Sequence, residues 1–308
     1  MTVLFPLPPL AQAIVDAHPQ LALPLTAAPA VHFSNDDAVY QIAKQACLAL
    51  GFIEIDAECM ALAWRNQAQR TGQFDPRPWP EQPCDFGLEV QPPPLSFPPC
   101  PQALGLYAVL PDATWVGRMA RAGVPTVQLR FKSDDAQAIQ REVRAAVEAV
   151  RGTSALLFIN DHWQAAMEAG AYGVHLGQED MDVADLNAIR SAGLRLGLSS
   201  HGYAEMVRAD RHRPSYIALG AVFPTTLKRM ATAPQGTGRL NAYARLMRHY
   251  PLVAIGGIDA SKLPLVASSA VGSFAVVRAI TGAEDPEAAA LALMNQFASL
   301  RSSGPSAL

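Results

Sequence analysis

The feature that most constrains this chain is a regular alternation that begins near residue 104. Short apolar runs, rich in β-branched and aromatic residues, occupy 104–110, 126–131, 155–160, 173–177, 195–200, 216–223, 252–258 and 274–280. Runs of this length bounded by turn residues read as buried strands. Most of the gaps hold an amphipathic helical pattern, as at 135–150, 164–169, 185–191 and 286–300. Strands that alternate with helices build a parallel sheet, since parallel neighbours need a crossover between them. Eight such units in roughly 200 residues fit a closed (β/α)₈ barrel, the TIM-barrel architecture. The competing doubly wound sheet wants a glycine-rich turn after its first strand. That position reads Leu110-Pro111-Asp112, so the barrel is the expected fold.

The barrel pattern covers 102–302, and what precedes it differs in character. Residues 1–100 hold most of the 25 prolines and are net acidic, whereas the remainder is slightly basic. Prolines at 76, 78, 80, 83, 92, 93, 94, 98, 99 and 101 exclude a helix or a central strand there. Residues 76–101 therefore read as an extended linker or as a strap lying on the barrel, and 1–75 as an extension of undefined role. Within the extension, Ser34 or Asn35 followed by Asp36 and Asp37 marks a helix start. Residues 52–55 read as a short strand and 57–69 as a second helix. No catalytic set stands out in this region, and packing or an oligomer contact is the expected role.

Half the residues are apolar and 17% are charged, as in a globular protein. A net charge of −3 offers no attraction for nucleic acid or an anionic membrane. No apolar run approaches the roughly 20 residues that cross a bilayer. The first ten residues lack the basic start of a secretory signal and are broken by Pro6, Pro8 and Pro9, so a cytoplasmic location is expected. Cys47, Cys59, Cys84 and Cys100 contain no CxxC pair, which argues against zinc and for reduced thiols. Lysine is kept only at 44, 132, 228 and 262 in a chain that otherwise uses arginine, which points to sites wanting a compact ammonium.

In a barrel of this kind the C-terminal strand ends converge on the face that carries the active site. The second run ends Val127-Gln128-Leu129-Arg130-Phe131-Lys132, which puts Gln128, Arg130 and Lys132 on one side of a strand. Two inward cations are costly unless they meet an anion; a solvated strand end is the alternative. The third run ends Asn160-Asp161-His162 and the fourth Gly177-Gln178-Glu179-Asp180, so Asp161 and Asp180 stand at neighbouring strand ends. Paired carboxylates beside Arg130 and Lys132 suit a hard divalent cation bridging to a phosphorylated ligand. Either aspartate taken singly reads instead as a helix N-cap.

The fifth run ends Ser199-Ser200-His201, where His201 is a base, a ligand or a structural residue. The sixth leads into Pro224-Thr225-Thr226-Leu227-Lys228 and then Gln235-Gly236-Thr237-Gly238, a loop whose hydroxyls, N–H groups and ammonium suit oxyanions. Gly256-Gly257 and Val277-Arg278 fall after strands seven and eight, the usual phosphate site of such barrels. The mouth is thus provided for two phosphate groups, one of them with a metal.

The segments VQLRFK, INDHWQAAMEAGAYGVHLGQEDM, GLSSH, ALGAVFPTTLKR, QGTG and VAIGGIDASKL, in this order across 104–300, together resemble the thiamine phosphate synthase family. The resemblance implies a Mg²⁺-dependent transferase that joins hydroxymethylpyrimidine diphosphate to hydroxyethylthiazole phosphate, releasing pyrophosphate and forming thiamine phosphate. It places Gln128 and Asn160 against the pyrimidine, and Arg130, Lys132, Ser199 and Lys228 on the diphosphate. Asp161 and Asp180 match the magnesium ligands. Thr225, Thr226, Leu227, Gly256, Gly257, Val277 and Arg278 match the thiazole phosphate site, and a homodimer is implied. Phe131 stands where the family often has an acidic residue, Leu227 where it has a second threonine, and Arg278 where it has a smaller polar residue. Three other readings remain: a related thiazole tautomerase using His201 as acid–base, a non-catalytic protein that binds thiamine precursors, and a bifunctional enzyme whose extension contributes a second activity.

Overall fold

A computed structural model describes residues 6–89, 96–226 and 232–302. Pro92, Pro93, Pro94, Leu227 and Lys228 lie outside the described residues.

The chain opens with three helices. In α1 (Pro9–Ala17) a proline stands at the first turn, where its missing N–H is not needed. In α2 (Ala38–Ala49) the cap is Asp37, whose carboxylate accepts from the Tyr40 N–H at 3.0 Å. Asn35 serves one step earlier and accepts from the Asp37 N–H, so the helix starts later than Ser34 or Asn35. No strand forms at 52–55, because α3 (Glu54–Thr71) already starts there. Glu54 and Asp56 put negative charge in its first turn, which favours the helix over a lone strand with no neighbour to pair.

Lys44 justifies its retention as lysine. It is 2% exposed, and its Nζ lies 2.7 Å from Glu54 and 2.6 Å from Glu58, tying α2 to α3. Burial alone would lower its pKa, but the hydrogen bonds to the two carboxylates outweigh burial and raise it. Lys44→Met is expected to cost about 1–3 kcal/mol by removing the buried ammonium that Glu54 and Glu58 share. Urea denaturation reads this directly, and an unchanged midpoint would refute it.

The described part of the proline-rich segment lies along the barrel. Trp79 is buried, and its Nε1 donates to the Tyr203 hydroxyl at 2.8 Å. A single 3₁₀ turn forms at Pro83–Phe86, a start that tolerates proline. Further on, the Phe97 N–H donates to the Arg213 carbonyl, and Ser215 Oγ to the Pro98 carbonyl at 2.6 Å.

Eight parallel strands then close on themselves: β1 (Gly105–Leu110), β2 (Thr126–Leu129), β3 (Leu156–Asn160), β4 (Gly173–Leu176), β5 (Arg195–Ser200), β6 (Tyr216–Leu219), β7 (Leu252–Ala254) and β8 (Ser273–Val276). The ring is sealed by β1 on β8, with Tyr107 opposite Ala275. Between them run α4 (Ala113–Arg121), α5 (Ala136–Ala149), α6 (Trp163–Ala169), α7 (Leu186–Ser191), α8 (Tyr203–Asp210), α9 (Gly236–Leu246) and α10 (Leu263–Ala267). After β8 come α11 (Arg278–Thr281) and α12 (Pro286–Ser302). The expected (β/α)₈ barrel is therefore the observed one.

Several strands stop sooner than their apolar runs. β2, β6, β7 and β8 end at Leu129, Leu219, Ala254 and Val276, and the last run passes into α11. The residues beyond the ladder, Val222, Ile258 and Ile280, are themselves buried, so hydrophobicity continues where strand pairing does not. Tyr107, Phe158, Tyr216 and Val253 fill the barrel interior. The outer core is shared between the barrel helices and the extension, with Ile14, Tyr40 and Trp64 in one cluster with Tyr203 and Tyr243. No described helix is long and apolar enough to cross a membrane. All four cysteines are free thiols.

Candidate active site

The C-terminal ends of the strands enclose a cavity of about 600 Å³. Gln128, Arg130, Lys132, Asn160, Asp161, Asp180, Ser199, Thr225, Gly256, Gly257, Val277 and Arg278 all line it. Thr226 is exposed and does not line it. Leu227 and Lys228 fall outside the described residues.

Strand β2 ends before Arg130, so Arg130 and Lys132 are carried by the following loop. The Arg130 N–H still donates to the Leu110 carbonyl at 2.8 Å, which keeps the alternation of the strand and turns both cations to the cavity. Phe131 packs against the outer core, so the family's acidic position faces away from the mouth. On the floor, Gln128 Nε2 donates to Asn160 Oδ1 at 2.7 Å. That bond orients both amides and leaves the Asn160 amino group and the Gln128 carbonyl for a ligand.

Asp161 does not cap the helix that follows it. The cap residue of α6 is His162, and α7 is capped by Asp185. Asp161 instead adopts a left-handed backbone, φ 62°, that turns its carboxylate inward. Burial raises its pKa, the neighbouring Asp180 raises it further, and Lys132 opposes both. The Lys132 ammonium stands 4.0 Å from Asp161 Oδ2. Asp180 is oriented by the Gly177 N–H, which donates to its Oδ2 at 3.0 Å. Two carboxylates are therefore turned toward one space despite their mutual repulsion.

Opposite them, Gly256 and Gly257 have φ of 101° and 65°, values that side chains rarely adopt. A Cβ on Gly257 would sit 2.5 Å from the Pro224 carbonyl oxygen. These glycines let the backbone form the cavity wall beside Thr225. His201 lines the cavity too, with Nδ1 2.7 Å from Glu205, which also accepts from the His201 N–H.

The strand ends do not reveal a polar column inside the barrel. Tyr107 and Tyr216 hydroxyls lie 2.7 Å apart, Tyr216 is 2.7 Å from His175 Nδ1, and His175 Nε2 is 2.8 Å from Ser199 Oγ. Tyr107 has Tyr216 as its only hydrogen-bond partner among the described residues, so the low-energy polarity runs upward. The direction that leaves no hydroxyl proton unpaired has Tyr107 donating to Tyr216, Tyr216 to Nδ1, and Nε2–H to Ser199. Only the histidine inside the apolar run Gly173-Val174-His175-Leu176 hinted at this. Tyr216→Phe is expected to lower turnover about tenfold by freeing the imidazole tautomer. ¹⁵N NMR of His175 checks it: a tautomer identical to the parent's would refute the stated polarity.

A closed parallel barrel with such a mouth is that of a (β/α)₈-barrel enzyme. The family model described as thiamine monophosphate synthase matches residues 106–280, and the chain belongs to this family of transferases. Thiamine-phosphate synthase of Neisseria meningitidis serogroup B (strain ATCC BAA-335 / MC58) is 55% identical over 194 residues, covering 63% of this chain and 95% of the relative. That of Yersinia pestis (strain Pestoides F) is 49% identical over 200 residues, covering 65% and 93%. Among solved structures, thiamine phosphate pyrophosphorylase from Pyrococcus furiosus is similar with a TM-score of 0.58 at 26% identity, covering 64% of this chain and 96% of that one.

Proposed function

We propose that the chain is a thiamine phosphate synthase that couples hydroxymethylpyrimidine diphosphate to hydroxyethylthiazole phosphate, with Mg²⁺ held by Asp161 and Asp180. The observation that carries this reading is the pair of opposed carboxylates beside Lys132, facing a glycine-lined wall across one cavity. The donor set fits magnesium. It is two carboxylates without a further cluster of His, Cys, Asp or Glu among the described residues. Magnesium commonly takes its remaining ligands from water and substrate phosphates. When bound, the cation would neutralise charge on the diphosphate as it leaves.

The chain's own residues supply the rest. Gln128 and Asn160 offer an acceptor and a donor side by side, which matches the amino group and ring nitrogen of an aminopyrimidine. Arg130, Lys132 and Lys228 bring positive charge to the leaving diphosphate, and Ser199 donates a hydrogen bond set by His175. Departure of diphosphate leaves a cationic pyrimidine methylene, which the thiazole nitrogen attacks. Thr225 and the backbone at Gly256, Gly257, Val277 and Arg278 hold the thiazole phosphate in line. No acid–base triad is required for this exchange, and little proton transfer.

A homodimer in the cytoplasm is the working form we assign by resemblance; light scattering reads the oligomeric state. The decisive experiment is to incubate the full-length chain with both substrates, with Mg²⁺ and with chelator. Thiamine phosphate and pyrophosphate appearing only with the cation support the proposal. Isomerised thiazole without coupling would hand the site to a tautomerase with His201 as its acid–base group.

A further inference from the structure

Among the described residues, hydrogen bonds fasten the helices before the barrel to it at two places. The first is Asp56 of α3, whose Oδ1 accepts from the Ala204 N–H at 2.9 Å and closes the first turn of α8 just beyond His201. Gly202 has no room for a side chain there, since a Cβ would overlap the Asp56 carboxylate.

The second is Arg239 of α9, 2% exposed. Its Nε donates to the Leu21 carbonyl and its Nη2 to the Leu50 carbonyl, each at 2.9 Å, and its guanidinium lies 3.7 Å over the Phe52 ring. All three partners belong to the extension. Leu50 is the C-cap of α2, where the helix presents unsatisfied carbonyls that favour a cation. The remaining arm, Nη1, reaches back into the barrel to Gln235 Oε1 at 3.0 Å, which also accepts from the Tyr243 hydroxyl.

Gln235 in turn holds the base of the loop after β6. Its N–H donates to the Ala221 carbonyl at 2.8 Å, and the Gly236 N–H to the Val222 carbonyl at 2.9 Å. The Val222 and Phe223 N–H groups donate onward to the Ile255 and Gly256 carbonyls. A continuous hydrogen-bonded path therefore connects the extension's Leu21 and Leu50 to Gly256 through Arg239 and Gln235.

We propose that the N-terminal extension is a positioning element of this enzyme: through Arg239 and Gln235 it sets the seat that Thr225, Gly256 and Gly257 form for the thiazole phosphate. The family match begins at residue 106, so the extension lies outside the part of the chain shared with the family. A guanidinium buried against carbonyls cannot simply lose them, because an unpaired buried cation is heavily penalised. A displacement of the Leu21 or Leu50 carbonyl is thus passed to Gln235 and the loop base. The inference rests on the thiazole phosphate assignment above, so its test includes a readout independent of turnover.

Full-length Gln235→Met and Arg239→Met are compared with Trp79→Phe, which loses the bond to Tyr203 but leaves Gln235 untouched. The first two are expected to raise KM for thiazole phosphate about tenfold, more than they lower kcat. In both, amide hydrogen exchange across residues 220–226 should accelerate, whereas Trp79→Phe should lower Tm without moving either readout. A folded Gln235→Met with parental exchange and parental KM overturns the proposal. So does a Trp79→Phe that raises KM as much, since that would be general loosening. If Arg239→Met does not fold, Gln235→Met decides alone. A parent chain that couples nothing would refute the functional reading, and exchange at 220–226 would still judge the path.

Discussion

Asp161→Asn is expected to lower coupling about 10³-fold while leaving the protein at least as stable as the parent. The two halves of this expectation have one cause. Asp161 is held half-buried beside Asp180, and burial and that neighbour both disfavour its charge. Such an arrangement costs stability in the free protein, and under the proposed function it is repaid when a cation and a diphosphate bind. Asparagine keeps the shape and tolerates the left-handed backbone at this position. It removes the repulsion together with the ligand charge. Steady-state rates at saturating Mg²⁺, paired with thermal melting in chelator, measure both halves. A rate within tenfold of the parent would dismiss Asp161 as a metal ligand. A large drop in Tm would make its role structural.

Much of the barrel was legible because its strands are buried on both faces and therefore read as unbroken apolar runs. The same property hid where each strand stops. Val222, Ile258 and Ile280 are as apolar and buried as the strands before them, though they sit in loops or in α11. Residues 52–55 misread as a strand for a related reason: four residues are too few for periodicity to separate a strand from the start of α3. Of the mouth, Gln128 through Arg278 could be found because charged and glycine residues at strand ends break the apolar pattern. The column below them could not, since tyrosines in buried strands look like packing until Tyr216 is seen bonded to both Tyr107 and His175. Arg239 left no trace for a different reason. Its partners in the extension are backbone carbonyls at Leu21 and Leu50, and a carbonyl has no signature in the sequence.

Lys132→Met should reduce kcat about 100-fold and leave KM for thiazole phosphate unchanged, because the two ends of the cavity are built from different elements. Lys132 follows β2, whereas the seat proposed for the thiazole phosphate lies on the loops after β6 and β7 with the residues opening α11. The Lys132 side chain is 66% exposed, and at 4.0 Å from Asp161 its ammonium is too far for a firm hydrogen bond. In the free protein it is therefore solvated and contributes little to stability, so methionine should fold normally. Its attraction matters once substrate displaces water and negative charge grows on the departing diphosphate. Lys132→Arg restores the charge on a larger, planar head, and only partial rescue is expected if a compact ammonium is what the site requires. Gly257→Ala gives the mirror-image result. With φ at 65° and a Cβ 2.5 Å from the Pro224 carbonyl, it should displace the backbone and raise KM for thiazole phosphate. A Lys132→Met enzyme with parental kcat would remove the ammonium from the chemistry. Equal effects on both substrates would mean that the cavity is a single site and not two phosphate seats facing each other.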